Sequence, residues 1–315
     1  MKIAIAEDLW MPVPKWLQLN HHVVYNQRLF EDQAALATAA QDAHALIVRN
    51  KTKVDAQLLK RLTKLQVVGR LGVGLDNIHL PTCRERGITV IAARGFNANS
   101  VVEYVMASMF HHARFLSRCD RLTKGGLWNR ELATGREIGG KTLGLIGVGD
   151  IGQRVAMRAK AMGMHVLAYD PVLLRSHMLV QDFDVQLVNL KKLCEESDYV
   201  SIHVPLLPET RHLIGESELN AMKETTVIIN TSRGGIVDEK ALLDSLQQWP
   251  QRFAVLDVRE VEPPAPNDAF RQLENVLLTP HIAGITHESS KRVSEFVLEE
   301  VDKKLRKLPF QGAVI

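Results

Sequence analysis

Cysteine is scarce in this 315-residue chain: Cys83, Cys119 and Cys194 stand alone and far apart. Their scatter excludes a disulfide framework and the paired spacing of a structural metal site, and it points to a reducing compartment. Long apolar runs are missing too, so no membrane-spanning segment is read. The opening run, residues 2–6, is too short for a signal peptide and reads as a first strand. A cytoplasmic protein is expected. Charge of one sign is also lacking. The 39 Lys and Arg are interspersed with 36 Asp and Glu, for a net charge of +3. That gives no electrostatic case for nucleic acid or a membrane as partner. Repeats and low-complexity tracts are absent. What is present, 46% hydrophobic and 24% charged residues, is an ordinary globular composition with length enough for two domains.

One stretch stands out against that plain background: Gly147-Val148-Gly149-Asp150-Ile151-Gly152. The run 142–146 before it reads as a buried strand. Ile151, Val155, Ala159 and Met162 behind it recur at helical spacing. Gly163 suits a helix C-cap, and 165–169 reads as a second strand ending at Asp170. In such a unit the first glycine allows the tight turn, the second lets a pyrophosphate approach the backbone, and the third lets helix and strand pack closely. The free N–H groups of the new helix face the phosphates. Asp170 can accept hydrogen bonds from ribose hydroxyls and would repel a 2′-phosphate. No cation follows until Arg175, so NAD is favoured over NADP. The plainer alternative is that Asp170 with Pro171 merely starts a turn.

Around this unit the chain alternates strand and helix signals. Residues 2–6, 44–48, 65–69 and 89–91 read as strands, with helices over 31–41 and 54–64. A long apolar helix is read over 100–118 with Ser100 as its N-cap, followed by an irregular excursion over 127–141. Further strands are read over 199–204, 226–230, 253–258 and 275–278, and a last amphipathic helix over 288–308. The expected fold class is α/β: two doubly wound parallel-sheet domains, with a Rossmann cofactor domain inserted into a flavodoxin-like substrate domain. The expected boundaries are 1–98 with 286–315 for the substrate domain and 99–285 for the NAD-binding domain.

Three polar clusters fall just beyond strands: 230–235 with Arg233, 257–264 with Asp257 and Glu262, and 279–284 with His281. Carboxyl ends of strands face the ligand crevice in such sheets. Arg233 can fork onto a carboxylate. His281 can take or return a hydroxyl proton. Glu262 beside the imidazole would favour its protonated form, and Asp257 could receive a nicotinamide amide. These are the tasks of hydride transfer between NAD and a 2-hydroxy acid. Taken singly, each residue is as readily a surface charge.

Together these motifs resemble the D-isomer-specific 2-hydroxyacid dehydrogenases over nearly the whole chain. The matching segments include His203-Val204-Pro205-Leu206 leading to Pro208-Glu209-Thr210, residues 230–239, Leu256-Asp257-Val258 with Glu262-Pro263, and Pro280-His281. The resemblance implies Arg233, Glu262 and His281 as catalytic residues. It implies cofactor contacts at Gly147, Gly149, Asp150, Ile151, Gly152, Asp170, Val204, Pro205, Thr210, Thr231, Ser232, Arg233, Asp257, His281, Ala283 and Gly284, and no metal. Residues 67–78 are similar to the substrate loop of phosphoglycerate dehydrogenases, and residues 48–52 are similar to the same subgroup, where the matching arginine faces the substrate's second anionic group; the resemblance thus adds Arg49, Arg70, Val73, Gly74 and Asn97 to Arg233 and His281 as substrate contacts. Backbone N–H groups of Val73 and Gly74 would form an anion nest.

Arg49, Lys51 and Arg70 suggest an acid with phosphate, sulfonate or carboxylate at C3, as in 3-phosphoglycerate or 3-sulfolactate; these bases are as readily surface charges. His79 and Val102 depart from the subgroup's pattern. The alternatives are a glyoxylate or hydroxypyruvate reductase and, in another class, an NAD(H)-sensing binding protein of corepressor type. The chain stops at Ile315, so feedback through a C-terminal regulatory extension is not expected. Residues 114–136, with Trp128, resemble the family's arm into a second subunit, implying a homodimer.

Overall fold

The computed structural model describes residues Met1–Ile315, which divide into two compact units: Met1–Asn97 with Ile285–Ile315, and Ala98–Gly284. No helix is long and apolar enough to cross a membrane.

The first unit runs β1 (Lys2–Ile5), α1 (Lys15–Asn20), β2 (His22–Tyr25), α2 (Gln33–Ala39), β3 (Ala45–Val48), α3 (Ala56–Arg61), β4 (Val67–Arg70), α4 (Leu80–Glu85) and β5 (Thr89–Ala92). All strand pairs are parallel, in the order β2-β1-β3-β4-β5, which is the flavodoxin-like order. Parallel strands need helical cover on both faces, and the central strand is accordingly apolar throughout: β3 reads Ala-Leu-Ile-Val, every residue buried. One face packs Leu46, Val68 and Val90 against Leu36, Leu58 and Leu59 of α2 and α3. The other packs Ile3, Ile5, Ile47 and Val67 against the chain's last helix, His287–Leu305. That helix offers Val293, Val297, Val301 and Leu305 at intervals of four, one stripe facing the sheet. Gly69 lets it approach: a Cβ there would lie 2.8 Å from Val297 Cγ1 and 2.6 Å from Ile47 Cδ1.

The second unit begins with α5 (Ala98–Arg114) and α6 (Leu116–Lys124). Then come β6 (Thr142–Ile146), α7 (Asp150–Ala161), β7 (His165–Tyr169), α8 (Met178–Gln181), β8 (Gln186–Leu187), α9 (Leu190–Glu196), β9 (Tyr199–Ile202), α10 (Glu216–Ala221), β10 (Val227–Asn230), α11 (Glu239–Gln248), β11 (Phe253–Leu256) and β12 (Val276–Leu278). The sheet order is β12-β11-β10-β9-β6-β7-β8, again all parallel. The order reverses between β6 and β9, which makes the carboxyl edge there a topological switch point. One face carries α5 and α7, with Val102, Val105, Val155 and Ala159 in its core; the other carries α9 to α11, with Leu193, Leu219 and Leu242.

Two local expectations are corrected. Ser100 is not an N-cap: the helix starts at Ala98, itself buried, and Ser100 lies inside its first turn. Nor does that helix reach 118. Phe115 takes a left-handed conformation (φ 33°), which interrupts the helical hydrogen-bond ladder. The freed carbonyl of Ala113 is taken by the N–H of Arg136 from the returning chain, at 2.8 Å.

Candidate active site

Within the second unit, two of the three glycines of the phosphate loop have a steric reason in the chain itself, and the third faces open space. Gly147 has φ 88°, and a Cβ there would meet Val204 Cγ1 at 2.7 Å and the His203 carbonyl oxygen at 2.8 Å. A Cβ on Gly152 would collide with the Gly147 carbonyl oxygen, so α7 can lie this close to the turn only without one. At Gly149, the N-cap of α7, nothing lies within 4 Å of an added Cβ. That open space, at the positive end of a twelve-residue helix, is the cradle a pyrophosphate needs. Two buried polar atoms of residues that follow the neighbouring strands β9 and β10 lack partners, His203 Nδ1 and Thr231 Oγ1. The residues present therefore fit a dinucleotide.

Asp170 follows directly on β7 and serves the chain itself. Its Oδ2 accepts from the Val148 N–H at 2.8 Å, tying β7 to the glycine loop, and its Oδ1 accepts from the Val172 and Leu173 N–H groups at 2.9 and 3.2 Å. Asp150 and Ile151 open α7, with Asp150 paired to Arg154. After β9, the Thr210 hydroxyl donates to the Pro205 carbonyl at 2.6 Å and accepts from the Leu207 N–H at 2.8 Å, closing the loop that carries Val204 and Pro205.

The neighbouring strands β10, β11 and β12 deliver the three polar clusters to one edge. The Asn230 side chain folds the first: it donates to the Arg233 carbonyl at 2.9 Å and accepts from the Ser232 N–H at 3.1 Å. Ser232 Oγ donates to the Ile202 carbonyl, and Arg233 donates to the Ser232 carbonyl.

Asp257, 1% exposed, organises the third cluster. Its Oδ1 accepts from Thr279 Oγ1 (2.6 Å) and the Ile282 N–H (2.7 Å), and its Oδ2 from the Ala283 N–H (2.8 Å). Thr279 donates to that carboxylate, so it accepts from Tyr104 of α5, at 2.5 Å. Burial pushes the Tyr104 hydroxyl up to about 12, so it stays a donor at neutral pH. Between Thr279 and Ile282 stands His281. Its φ is 56°, and its N–H donates to the Asp257 carbonyl at 2.9 Å. The left-handed backbone turns the imidazole toward Glu262, with Nδ1 2.8 Å from Oε2.

Glu262 is steadied in turn by the Arg259 N–H, at 3.0 Å to Oε1. Burial alone would raise its carboxyl; the His281 and Arg259 hydrogen bonds and the charges of His281 and Arg233 outweigh that and hold it below the ordinary glutamate range. An ionised glutamate can only accept, so Nδ1 carries the proton and Nε2 is left for a reacting group. Behind the loop, Arg259 forks onto Glu239 and Asp268 over the ring of Phe270. Those bonds raise the affinity of its guanidinium for its proton despite burial. Arg259 was not singled out in the sequence; an arginine among acids at 239, 260 and 268 was the available signal.

Within the first unit the carboxyl ends of β1, β3 and β4 gather Arg49 and Arg70. Glu7, 3% exposed, accepts from the backbone N–H groups of Arg49 (2.8 Å), Thr52 (2.9 Å) and Lys51 (3.2 Å), and so fixes the loop after β3. Arg49 Nε donates to the Asp8 carbonyl at 2.8 Å, while its Nη2 is buried without a partner. Burial lowers the Arg49 guanidinium's affinity for its proton, against the pull of Asp8 and Glu7. Arg70 donates to the Leu71 carbonyl at the head of the loop that carries Val73 and Gly74; Val73 is exposed. Asn97 closes this unit, half-buried.

Residues 106–283 match the family described as D-isomer specific 2-hydroxyacid dehydrogenase, NAD binding domain. The chain is 42% identical over 307 residues to a D-3-phosphoglycerate dehydrogenase of Methanocaldococcus jannaschii, covering 97% of this chain but 58% of that protein. It is also 42% identical over 289 residues to an (S)-sulfolactate dehydrogenase of Chromohalobacter salexigens, covering 92% and 93%. Among solved structures, the TT0316 protein from Thermus thermophilus superposes over all of both chains with a TM-score of 0.90 at 30% identity.

Proposed function

Because the chain belongs to the D-isomer specific 2-hydroxyacid dehydrogenase family and carries its NAD-binding domain, we propose that it interconverts a small 2-hydroxy acid and its 2-oxo acid. The observation that carries this reading is the His281–Glu262 contact of 2.8 Å, set at the carboxyl edge of a parallel sheet where the Arg233 charge also acts. When bound, NAD supplies the hydride acceptor, or NADH the donor. Arg233 grips the substrate carboxylate with its planar fork and polarises the adjoining oxygen. His281 receives the hydroxyl proton at Nε2 during oxidation and returns it during reduction. Glu262 stabilises the imidazolium so formed and fixes the ring through Nδ1.

The substrate reading rests on Arg49. A buried guanidinium whose Nη2 has no hydrogen-bond partner favours a ligand that brings a second anion. The class is therefore a three-carbon 2-hydroxy acid with phosphate or sulfonate at C3. Initial rates of NAD reduction with 3-phosphoglycerate, 3-sulfolactate, malate, glycerate and lactate test it. Arg49→Ala should raise KM for the preferred anionic acid at least tenfold, as expected for loss of a charge-assisted hydrogen bond. An unchanged KM would favour a glyoxylate or hydroxypyruvate reductase. NADH binding, seen by fluorescence, without turnover of any oxo acid would favour a sensor.

The assembly we propose is a homodimer through residues 114–136. The segment exposes Leu116, Leu127, Trp128 and Leu132, and Trp128 is 76% accessible. Exposed apolar groups in that number suit a second copy of this chain. Light scattering that reports only a monomer would remove the arm from this role.

A further inference from the structure

We infer that Trp10 is a specificity-determining residue of the first unit: its indole lies against the Arg49 guanidinium and holds that cation in place for the substrate's second anion. The inference rests on the proposed second-anion reading and extends it to a residue that no motif marks.

Six observations carry it. The Arg49 guanidinium carbon lies 5.4 Å from the centre of the Trp10 ring, within cation–π range. Trp10 holds this position in a left-handed backbone conformation (φ 58°), a costly setting for so bulky a residue. The turn is pinned by the Trp10 N–H donating to Asp8 Oδ1 at 2.8 Å, and the Asp8 carboxylate also accepts from the Tyr25 hydroxyl at 3.3 Å. The same Asp8 gives its carbonyl to Arg49 Nε, so one residue positions both the cation and its cover. The ring of His287, at the start of the last helix, lies tilted against the indole with centres 6.4 Å apart. Yet Trp10 remains 45% exposed, so core packing alone does not account for its placement.

The physical consequence is a positioned cation. The ring and the Asp8 carbonyl hold the guanidinium. Its terminal nitrogens carry the hydrogens that remain for a ligand, and a phosphate or sulfonate can meet them with an acceptor oxygen carrying full charge. A neutral C3 hydroxymethyl would bring no charge to meet the guanidinium. Trp10 thus sharpens the discrimination that Arg49 makes possible.

The test compares the full-length wild type, Trp10→Phe, Trp10→Ala and Arg49→Ala. Trp10→Ala should raise KM for 3-phosphoglycerate or 3-sulfolactate about tenfold, with kcat changing less than twofold and with kcat/KM for glycerate or lactate little altered. Trp10→Phe, which keeps a ring, should fall between. Independently of turnover, titration with inorganic phosphate or sulfate should perturb tryptophan fluorescence in the wild type, and Trp10→Phe should lose that signal. Circular dichroism matching the wild type shows that the variants are folded. If Arg49→Ala abolishes the preference for charged acids while Trp10→Ala keeps it, the role given to Trp10 is wrong and the anion reading stands. If the wild type has no such preference, the anion reading itself fails. Equal losses with charged and neutral acids in Trp10→Ala would make the residue merely structural and overturn the inference.

Discussion

Asp257→Asn is an isosteric change with a calculable cost. The wild-type carboxylate is 1% exposed and accepts three hydrogen bonds, from Thr279, Ile282 and Ala283. An asparagine can keep its oxygen toward Thr279 and Ile282. Its amide nitrogen then faces the Ala283 N–H across what was a 2.8 Å bond, donor against donor. One hydrogen bond to a charged acceptor is lost, worth about 1.5–3 kcal/mol, and a buried donor is left unpaired at a further cost of about 1–3 kcal/mol. Relaxation recovers part of this, so a net loss of about 2–4 kcal/mol is expected. The same bonds bracket His281, whose placement then loosens. A displacement on the order of 1 Å at a proton-transfer group lowers kcat about a hundredfold. Guanidinium denaturation followed by circular dichroism, alongside steady-state turnover, measures both quantities. A variant within about 0.5 kcal/mol of wild type and within roughly twofold in kcat would show that Asp257 does not hold the histidine segment.

His281→Ala removes the proton acceptor and should lower turnover by about a hundredfold or more, while NADH affinity by fluorescence titration stays close to wild type. Asp170→Ala should weaken NAD and relax discrimination against NADP, since it removes both the repelling charge and the tie to the Val148 N–H; an unchanged ratio of the two cofactors' kcat/KM would refute this. The hydrogen bond from Arg259 holds the Asp268 carboxyl below its ordinary range. A carboxyl depressed on folding lends stability above its unfolded pKa and loses it as pH falls through the folded one. Asp268→Asn should therefore be less stable than wild type at pH 7, and the gap should shrink at about pH 3 and below. A gap of constant size across that range would mean that the charge contributes nothing.

The order of strands and helices could be read because parallel, two-sided burial leaves short apolar runs that nothing else explains, as in Ala45–Val48 and Val227–Asn230. Edge elements gave no such signal. The strand His22–Tyr25 is only half-buried and the strand Gln186–Leu187 has two residues, so neither separates from loop by pattern. Ser100 misled because a serine before an apolar run is a local rule, whereas the buried Ala98 draws the helix start outward. The glycine loop was legible since Gly147 and Gly152 answer local steric demands and Gly149 leaves open space at a helix N-terminus. The His281–Glu262 contact was suggested by strand ends alone, but its agents were not: a left-handed histidine, a buried aspartate accepting from three donors, and an arginine braced on two acids behind the loop. Nothing in the order of residues 8–10 announces that Asp8 folds an indole over Arg49, about forty residues away.

The first unit takes its sheet from the front of the chain and one of its two covering layers from the back. Besides the last helix, the closing residues knit onto strand Thr89–Ala92, where the Val314 N–H donates to Val90 and the Ala92 N–H to Gly312. On a ribosome, then, the inserted unit is whole once Gly284 has emerged, while the older sheet waits with Ile3, Ile5, Ile47 and Val67 uncovered. Synthesis from first codon to last thus matures the inner unit ahead of the outer one. A transcript truncated before codon 287 would release a bare apolar sheet, a natural substrate for chaperones.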